Sequence, residues 1–161
     1  MRRFLRDKNG NAVISAAFII LIFCTLAFVI YAGVTVSSKY QAAETELQRA
    51  AIVAIDTCMI NPNVRDADFD IPAASAESVL KDNLTELGWT IPDSGSWVKQ
   101  NEDKLVYKLD DVVINIDDKT MRIDSDFVTP LPWAIGGLTE VKIPMQIRES
   151  VLYIDEQENW K

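Results

Sequence analysis

The sequence predicts an α+β fold, in which a long N-terminal transmembrane/amphipathic helix packs on a small antiparallel sheet with one further helix. Three observations carry that prediction. Residues 12–38 contain no charged side chain. The segment after them, SSKYQAAETELQRAAIVAIDTCMI, has neither Gly nor Pro. From Lys104 onward the apolar residues recur at every second position instead of every third or fourth.

The apolar part of the uncharged run, AVISAAFIILIFCTLAFVIYAGVTV, is 25 residues long. At about 1.5 Å per residue it reaches about 37 Å, enough to cross a hydrocarbon core of about 30 Å with some tilt. A helix that is apolar on every side for so many turns has no place on the surface of a soluble domain. Of the 16 Lys+Arg and 24 Asp+Glu, five and one fall in residues 1–39. Arg2, Arg3, Arg6 and Lys8 precede the run and Lys39 alone follows it, which predicts a cytoplasmic N-terminus and a translocated C-terminus. A cleaved secretory signal is the alternative. Its apolar region is about 7–15 residues long and ends in a small-x-small site, whereas this run is longer and offers only Thr35-Val36-Ser37. Phe23 before Cys24 gives no lipoprotein signal.

The organisation expected is a basic cytoplasmic leader (1–10), a transmembrane helix (11–38), an amphipathic continuation (39–60) and an extracytoplasmic α+β domain (61–161). The continuation places Tyr40, Ala43, Leu47, Ala50, Ala51 and Ala54 at helical spacing. Two uses of this small-residue face stay open. It is a stalk beneath the chain's own domain, or a surface for lateral helix packing in an assembly. The INPN segment around Pro62 stops the helix. A second helix fits SAESVLKDNLTELG, with Val79, Leu80, Leu84 and Leu87 on one side and Gly88 as its C-terminal cap. WTIPDSGSW reads as a loop.

Then come the strands. Leu105, Tyr107 and Leu109 alternate, VVINI leads to a turn at Asp117–Lys119, and Met121, Ile123, Ser125 and Phe127 alternate again. TPLPWAIGG, with two prolines and two glycines, predicts a long loop carrying Trp133 as an exposed contact. Val141, Ile143, Met145 and Ile147 form the last strand, where Pro144 predicts an edge position or a bulge. The expectation is a meander of three or four strands, one face on the amphipathic helix and the other in water.

Composition excludes several kinds of chemistry. There is no histidine, hence no His-based acid–base catalysis and no His-ligated metal. No nucleophile elbow, phosphate loop or dinucleotide fingerprint is present. No enzyme activity is expected. Residues 40–161 retain 11 basic against 23 acidic side chains, a net of −12, which repels nucleic acid and anionic membrane surfaces. Cys24 and Cys58, 34 residues apart on one helix, are separated by about 51 Å and cannot bridge within a chain. The carboxylate pairs Asp110-Asp111 and Asp117-Asp118 are expected at strand ends and turns, where Asp is favoured for geometry. Asp66, Asp68, Asp70 and Glu77 have the 1, 3, 5 and 12 spacing of a calcium loop. Ile71 replaces its turn-forming glycine, so a solvated acidic loop capping the second helix is the expectation and no metal or other cofactor is.

A basic leader ending in glycine, an apolar helix that runs on as an amphipathic one, and a small β-rich domain together resemble a type IV pilin or pseudopilin. The leader MRRFLRDKNG, ending at Gly10, is similar to a prepilin peptidase site and implies Asn11 as the first mature residue. The pattern over residues 1–60 resembles the TadE/TadG-like pseudopilins of tight-adherence (Flp) pili and related membrane proteins of conjugative elements. Those chains carry a short R-R leader and a G-x₄-E motif; here Ser15 stands in place of the Glu. In the family that Glu is associated with subunit alignment and N-terminal methylation. An unpaired carboxylate in lipid costs several kcal/mol, so Ser15 removes both that penalty and the pairing. The resemblance implies a non-enzymatic minor pseudopilin. Its partners would be the membrane, other pilin-like subunits in a hetero- or homo-oligomer, and assembly-platform proteins. A monomeric anchored binding module and a secreted domain are the alternatives.

Overall fold

The structure is a computed structural model that describes residues 8–58, 72–92, 94–102, 104–117, 120–135 and 137–150. Its elements are α1 (Lys8–Cys58), α2 (Ala73–Glu86), β1 (Trp89–Thr90), β2 (Trp97–Asn101), β3 (Lys104–Asp117), β4 (Thr120–Ile135) and β5 (Leu138–Ser150). The architecture is α+β: a long N-terminal helix, one further helix and a five-stranded antiparallel sheet. The chain divides into two compact units, Met1–Ser37 and Ser38–Lys161.

The first unit holds the apolar stretch of α1. Its mean hydropathy reaches 3.0 over an 18-residue window of which no part is buried, and it is long and apolar enough to cross a membrane. Phe18, Ile22, Phe23, Phe28, Val29 and Ile30 are all more than half exposed. The hydroxyls of Thr25 and Thr35 donate to the carbonyls of Leu21 and Tyr31 one turn back, at 2.8 and 2.9 Å. These two hydroxyls inside the apolar run are thus satisfied within the helix, as a hydrocarbon environment demands.

In the second unit α1 changes role. Ala43, Leu47, Ala50, Ala51, Ala54 and Ile55 are buried, and they share one core with Ala76, Leu80 and Leu84 of α2 and the inner face of the sheet. Helix α2 begins at Pro72, whose fixed φ suits a helix start and which makes no side-chain cap. It ends where Leu87 N–H bonds to the Asn83 carbonyl and Gly88, at φ +85°, donates to Thr85. Only a glycine takes that left-handed turn without strain, so the chain reverses there into β1. Leu87, expected on the packed face, lies instead at the C-cap and is exposed, while Ala76 takes the inner position.

The strand order is β1-β2-β3-β4-β5, each pair antiparallel. This is a meander of five strands against the three or four expected, and the short β1 and β2 are the ones the alternation pattern did not announce. Both lie around the WTIPDSGSW segment, where Trp89 and Trp97 are core residues and too few residues alternate to show a period. Register sets the inner face: Trp97 opposes Leu109, Leu109 opposes Phe127, and Phe127 opposes Ile143. A second row joins Ile114, Ile123 and Ile147. Between these rows β3 slips register at Asp110/Val113, with Asp111 at φ +54°. Asp110 and Asp111 therefore sit at a bulge in mid-strand, not at a strand end; Asp tolerates the left-handed region better than most residues.

The expected loop TPLPWAIGG is absent. Strand β4 continues through Pro130, Leu131, Pro132 and Trp133 to Ile135, and Ile135 opposes Leu138 at the hairpin end. The physical reason lies in the pairing. The register of β3 with β4 runs only to Lys108↔Val128, so beyond it the β4 backbone is paired with β5 alone and Pro130 and Pro132 need no donor toward β3. Pro144 lies on β5, at the end of the strand order, as expected of an edge proline.

Two substitutions test this core. Leu80→Ala is expected to cost about 2–5 kcal/mol, through lost burial and a cavity. Ala51→Leu is expected to cost about 1–3 kcal/mol by overpacking. The exposed Val53→Ala should change stability by less than about 0.5 kcal/mol. Denaturant unfolding of the detergent-solubilised chain, followed by the buried Trp89 and Trp97, measures all three.

Candidate functional site

Residues singled out by the sequence fall into three groups. Gly10, Asn11 and Ser15 all lie in the first turns of α1, where Ser15 is exposed. Ala43, Leu47, Ala50, Ala51 and Ala54 are brought together, each at most 2% exposed, but inside the chain's own core. The lateral-packing alternative is thereby corrected for these five. A neighbouring helix cannot reach side chains already covered by α2 and the sheet. What α1 leaves exposed between Ala43 and Ala54 is Thr45, Arg49, Ile52 and Val53, a mixed face. Trp133 lies half-buried on β4, so the exposed-loop expectation is corrected too.

Asp66, Asp68 and Asp70 lie outside the described residues. Glu77 is in α2 and engages Lys81 one turn later at 2.6 Å, a half-exposed i,i+4 ion pair. No group of three or more Cys, Asp or Glu side chains among the described residues is placed to hold a metal ion. Cys24 is exposed, Cys58 half-buried, and both are free thiols.

Within the second unit the polar centre is Glu46, which the sequence reading missed. Trp89 Nε1 donates to its Oε2 at 2.7 Å, Lys99 Nζ lies 3.1 Å from the same oxygen, and Tyr107 Oη donates to it at 3.4 Å. One carboxylate thus collects donors from β1, β2 and β3. Lys99 also donates to the Leu87 carbonyl and lies 5.8 Å from the Trp89 ring centre, a cation–π distance. Glu46 and Lys99 side chains are 28% and 19% exposed, so the pair is screened less than a surface one. Burial, with the neighbouring Glu46 charge, pushes the Tyr107 phenol far above its ordinary range and keeps it a neutral donor. Glu46 is three residues after Ala43 and four before Ala50. That spacing puts it on the buried stripe and was the signal available.

A second polar link joins Lys39 to the sheet. Its Nζ donates to Thr129 Oγ1 at 3.2 Å, and that hydroxyl donates to the Val106 carbonyl at 3.0 Å. Burial lowers the Lys39 amine below its ordinary pKa. Beside it Tyr40 meets Phe127 edge-on, ring centres 5.5 Å apart.

The outer face of the sheet is a charged lattice. Lys142 reaches Asp126 at 2.8 Å and Asp111 at 3.5 Å, Lys108 pairs with Asp110 at 3.1 Å, and Arg122 holds Asp124 at 2.8 Å. A shallow hollow of about 510 Å³ opens among Asp111, Asp124, Asp126, Pro144 and Gln146. Its carboxylates already face cations, so its acidity is spent within the sheet. Gln146 and then Arg122 hold Asp124 below the usual carboxylate range. At Asp110 burial acts upward, but the Ser96 hydroxyl and Lys108 outweigh it and lower the value.

The fold thus defines a class: a small α+β domain continuous with one helix long and apolar enough to cross a membrane. No protein family, curated protein or solved structure matches the chain.

Glu46→Ala is expected to cost about 2–3 kcal/mol, because it strands the Trp89 indole and Lys99 ammonium, whereas Glu46→Gln keeps an acceptor and should cost about half as much. Thermal melts of both variants in detergent distinguish these outcomes. Asp110 and Asp124 have folded-state values below the unfolded one of about 3.9, so their contribution is complete well above pH 4 and lost as pH falls through the lower folded values. Melting temperature should therefore drop below about pH 4, with a smaller drop in Asp124→Asn.

Proposed function

We propose that the protein is a non-enzymatic, pilin-like minor pseudopilin of a membrane-anchored pilus or of a secretion or conjugation apparatus. The observation that carries this reading is the unbroken 51-residue helix α1, an exposed apolar half running directly into the core of a small antiparallel-sheet domain. The leader charges support a cytoplasmic N-terminus, which places the acidic domain outside the cytoplasm. With Ala43 to Ala54 spent inside the domain, lateral association falls to the apolar run. Gly10 is the processing position, Asn11 the first mature residue and Ser15 the altered alignment position.

A second reading is favoured by that same burial. A domain that uses its amphipathic helix internally is complete as a monomer, and the apolar run is then a simple anchor for an extracytoplasmic binding module.

N-terminal sequencing of protein extracted from membranes separates the two. The pseudopilin reading expects a start at Asn11, abolished by Gly10→Leu. An intact Met1 supports the anchored module, and a start near Ser38 a secreted domain. Oxidation of native membranes should trap disulfide dimers through Cys24. Monomer alone under saturating oxidant counts against assembly through the run.

A further inference from the structure

The end of the β4–β5 hairpin is unlike the rest of its domain. Residues 130–138, PLPWAIGGL, are nine in a row without a charge, in a region whose net charge is −12. Leu138 is 64% exposed, more than any other large hydrophobic side chain described outside the apolar run. Pro132 is exposed as well, while Leu131 and Trp133 are half-buried. Leu105, near the start of β3 at the same end of the sheet, is 38% exposed.

The base of this hairpin end has a definite level on α1. Thr129, the residue before Pro130, is held by Lys39. Lys39 is the first charged side chain after the uncharged run, so it marks where that run meets the polar headgroups. Charge on β5 resumes at Glu140, directly opposite Pro130. On β5 the change from uncharged to charged therefore falls beside Thr129 and Lys39, while on β4 the last charge is Asp126. From Thr129 to Ile135 the strand extends by at most about 20 Å, at roughly 3.3 Å per residue. Trp and Pro-flanked apolar residues suit the boundary between headgroups and acyl chains. Irregular backbone and open sheet edges do not enter lipid-exposed hydrocarbon, which sets the depth at the headgroups.

We propose that the hairpin end, Pro130–Leu138, is a second membrane contact, seated at headgroup level in the bilayer that α1 spans. The inference rests on the reading of the apolar run as a membrane span, and only on that part of the proposed function. The domain then meets the lipid surface at two points, the exit of the helix and the hairpin end. An acidic domain is otherwise pushed away from an anionic surface, and an uncharged end is the one part of it that escapes this repulsion.

Spin labels report the depth. The full chain, with Cys24→Ser and Cys58→Ser, is reconstituted in phosphatidylcholine–phosphatidylglycerol vesicles with one label on Leu138→Cys, on Ile20→Cys or on Val113→Cys. The ratio of collisions with oxygen to those with a water-soluble nickel chelate is expected to be highest at position 20, lowest at 113 and intermediate at 138. A value at 138 equal to that at 113, with 20 immersed, overturns the hairpin contact and leaves the anchor. A value at 138 equal to that at 20 overturns the headgroup-level placement. Equal, water-like values at 20 and 113 overturn the anchor reading on which the inference rests.

Discussion

A single-layer sheet cannot bury its own apolar face. Leu109, Phe127, Ile123, Met145 and Ile147 project from one side of the meander, and the second half of α1, with α2, supplies the layer that removes them from water. The small residues of α1 are what make this possible: Ala43, Ala50, Ala51 and Ala54 let the helix backbone approach, and Leu47 fills the space between them. Position along the interface is then set by polar contacts, because apolar packing has no direction. Glu46 is tied to three strands at once, and Lys39 to a fourth. Removing either would leave the helix covering the same area in a less defined register.

The two halves of α1 handle their polar groups in different ways. In the first, the outward side chains are mostly large and apolar, with Ser15 and Tyr31 among them, and two threonines turn their hydroxyls back on the helix. In the second, the outward face mixes Arg49 and Asp56 with Ile52 and Val53, while polarity on the inward face is confined to Glu46. Lys39, where one regime gives way to the other, keeps its ammonium partly buried against Thr129.

Much of this was legible in the sequence for physical reasons that can be named. The apolar run, the helical stripe Ala43–Ala54, the cap at Gly88 and the alternation of Met121 to Phe127 each rest on a period sustained over several turns or pairs. Strands β1 and β2 were not legible, since two and five residues cannot display a period. The β4 extension was read as a loop because proline argues against a strand with partners on both sides. Nothing local announces that Pro130 and Pro132 lie where one partner has already left. Glu46 was visible by position on the buried stripe, but its donors come from residues 89, 99 and 107, and no local pattern places them around it.

On the reading proposed above, the burial of the alanine stripe also narrows what the subunit can do. Helices in lipid gain nothing from hydrophobic association, since acyl chains are as apolar as their side chains; they associate through close packing and polar pairing. Ser15 removes the charge that pairs subunits in the resembled family, and the run that remains is dominated by Phe18, Ile19, Ile20, Leu21, Ile22 and Phe23, whose bulk keeps neighbouring backbones apart. Long filaments need the same heterologous contact repeated from subunit to subunit. On the reading proposed above, a chain whose small residues face its own sheet suits a position with few helix neighbours. That is the situation of a minor component at an end or a base, and not of the subunit that repeats along a shaft.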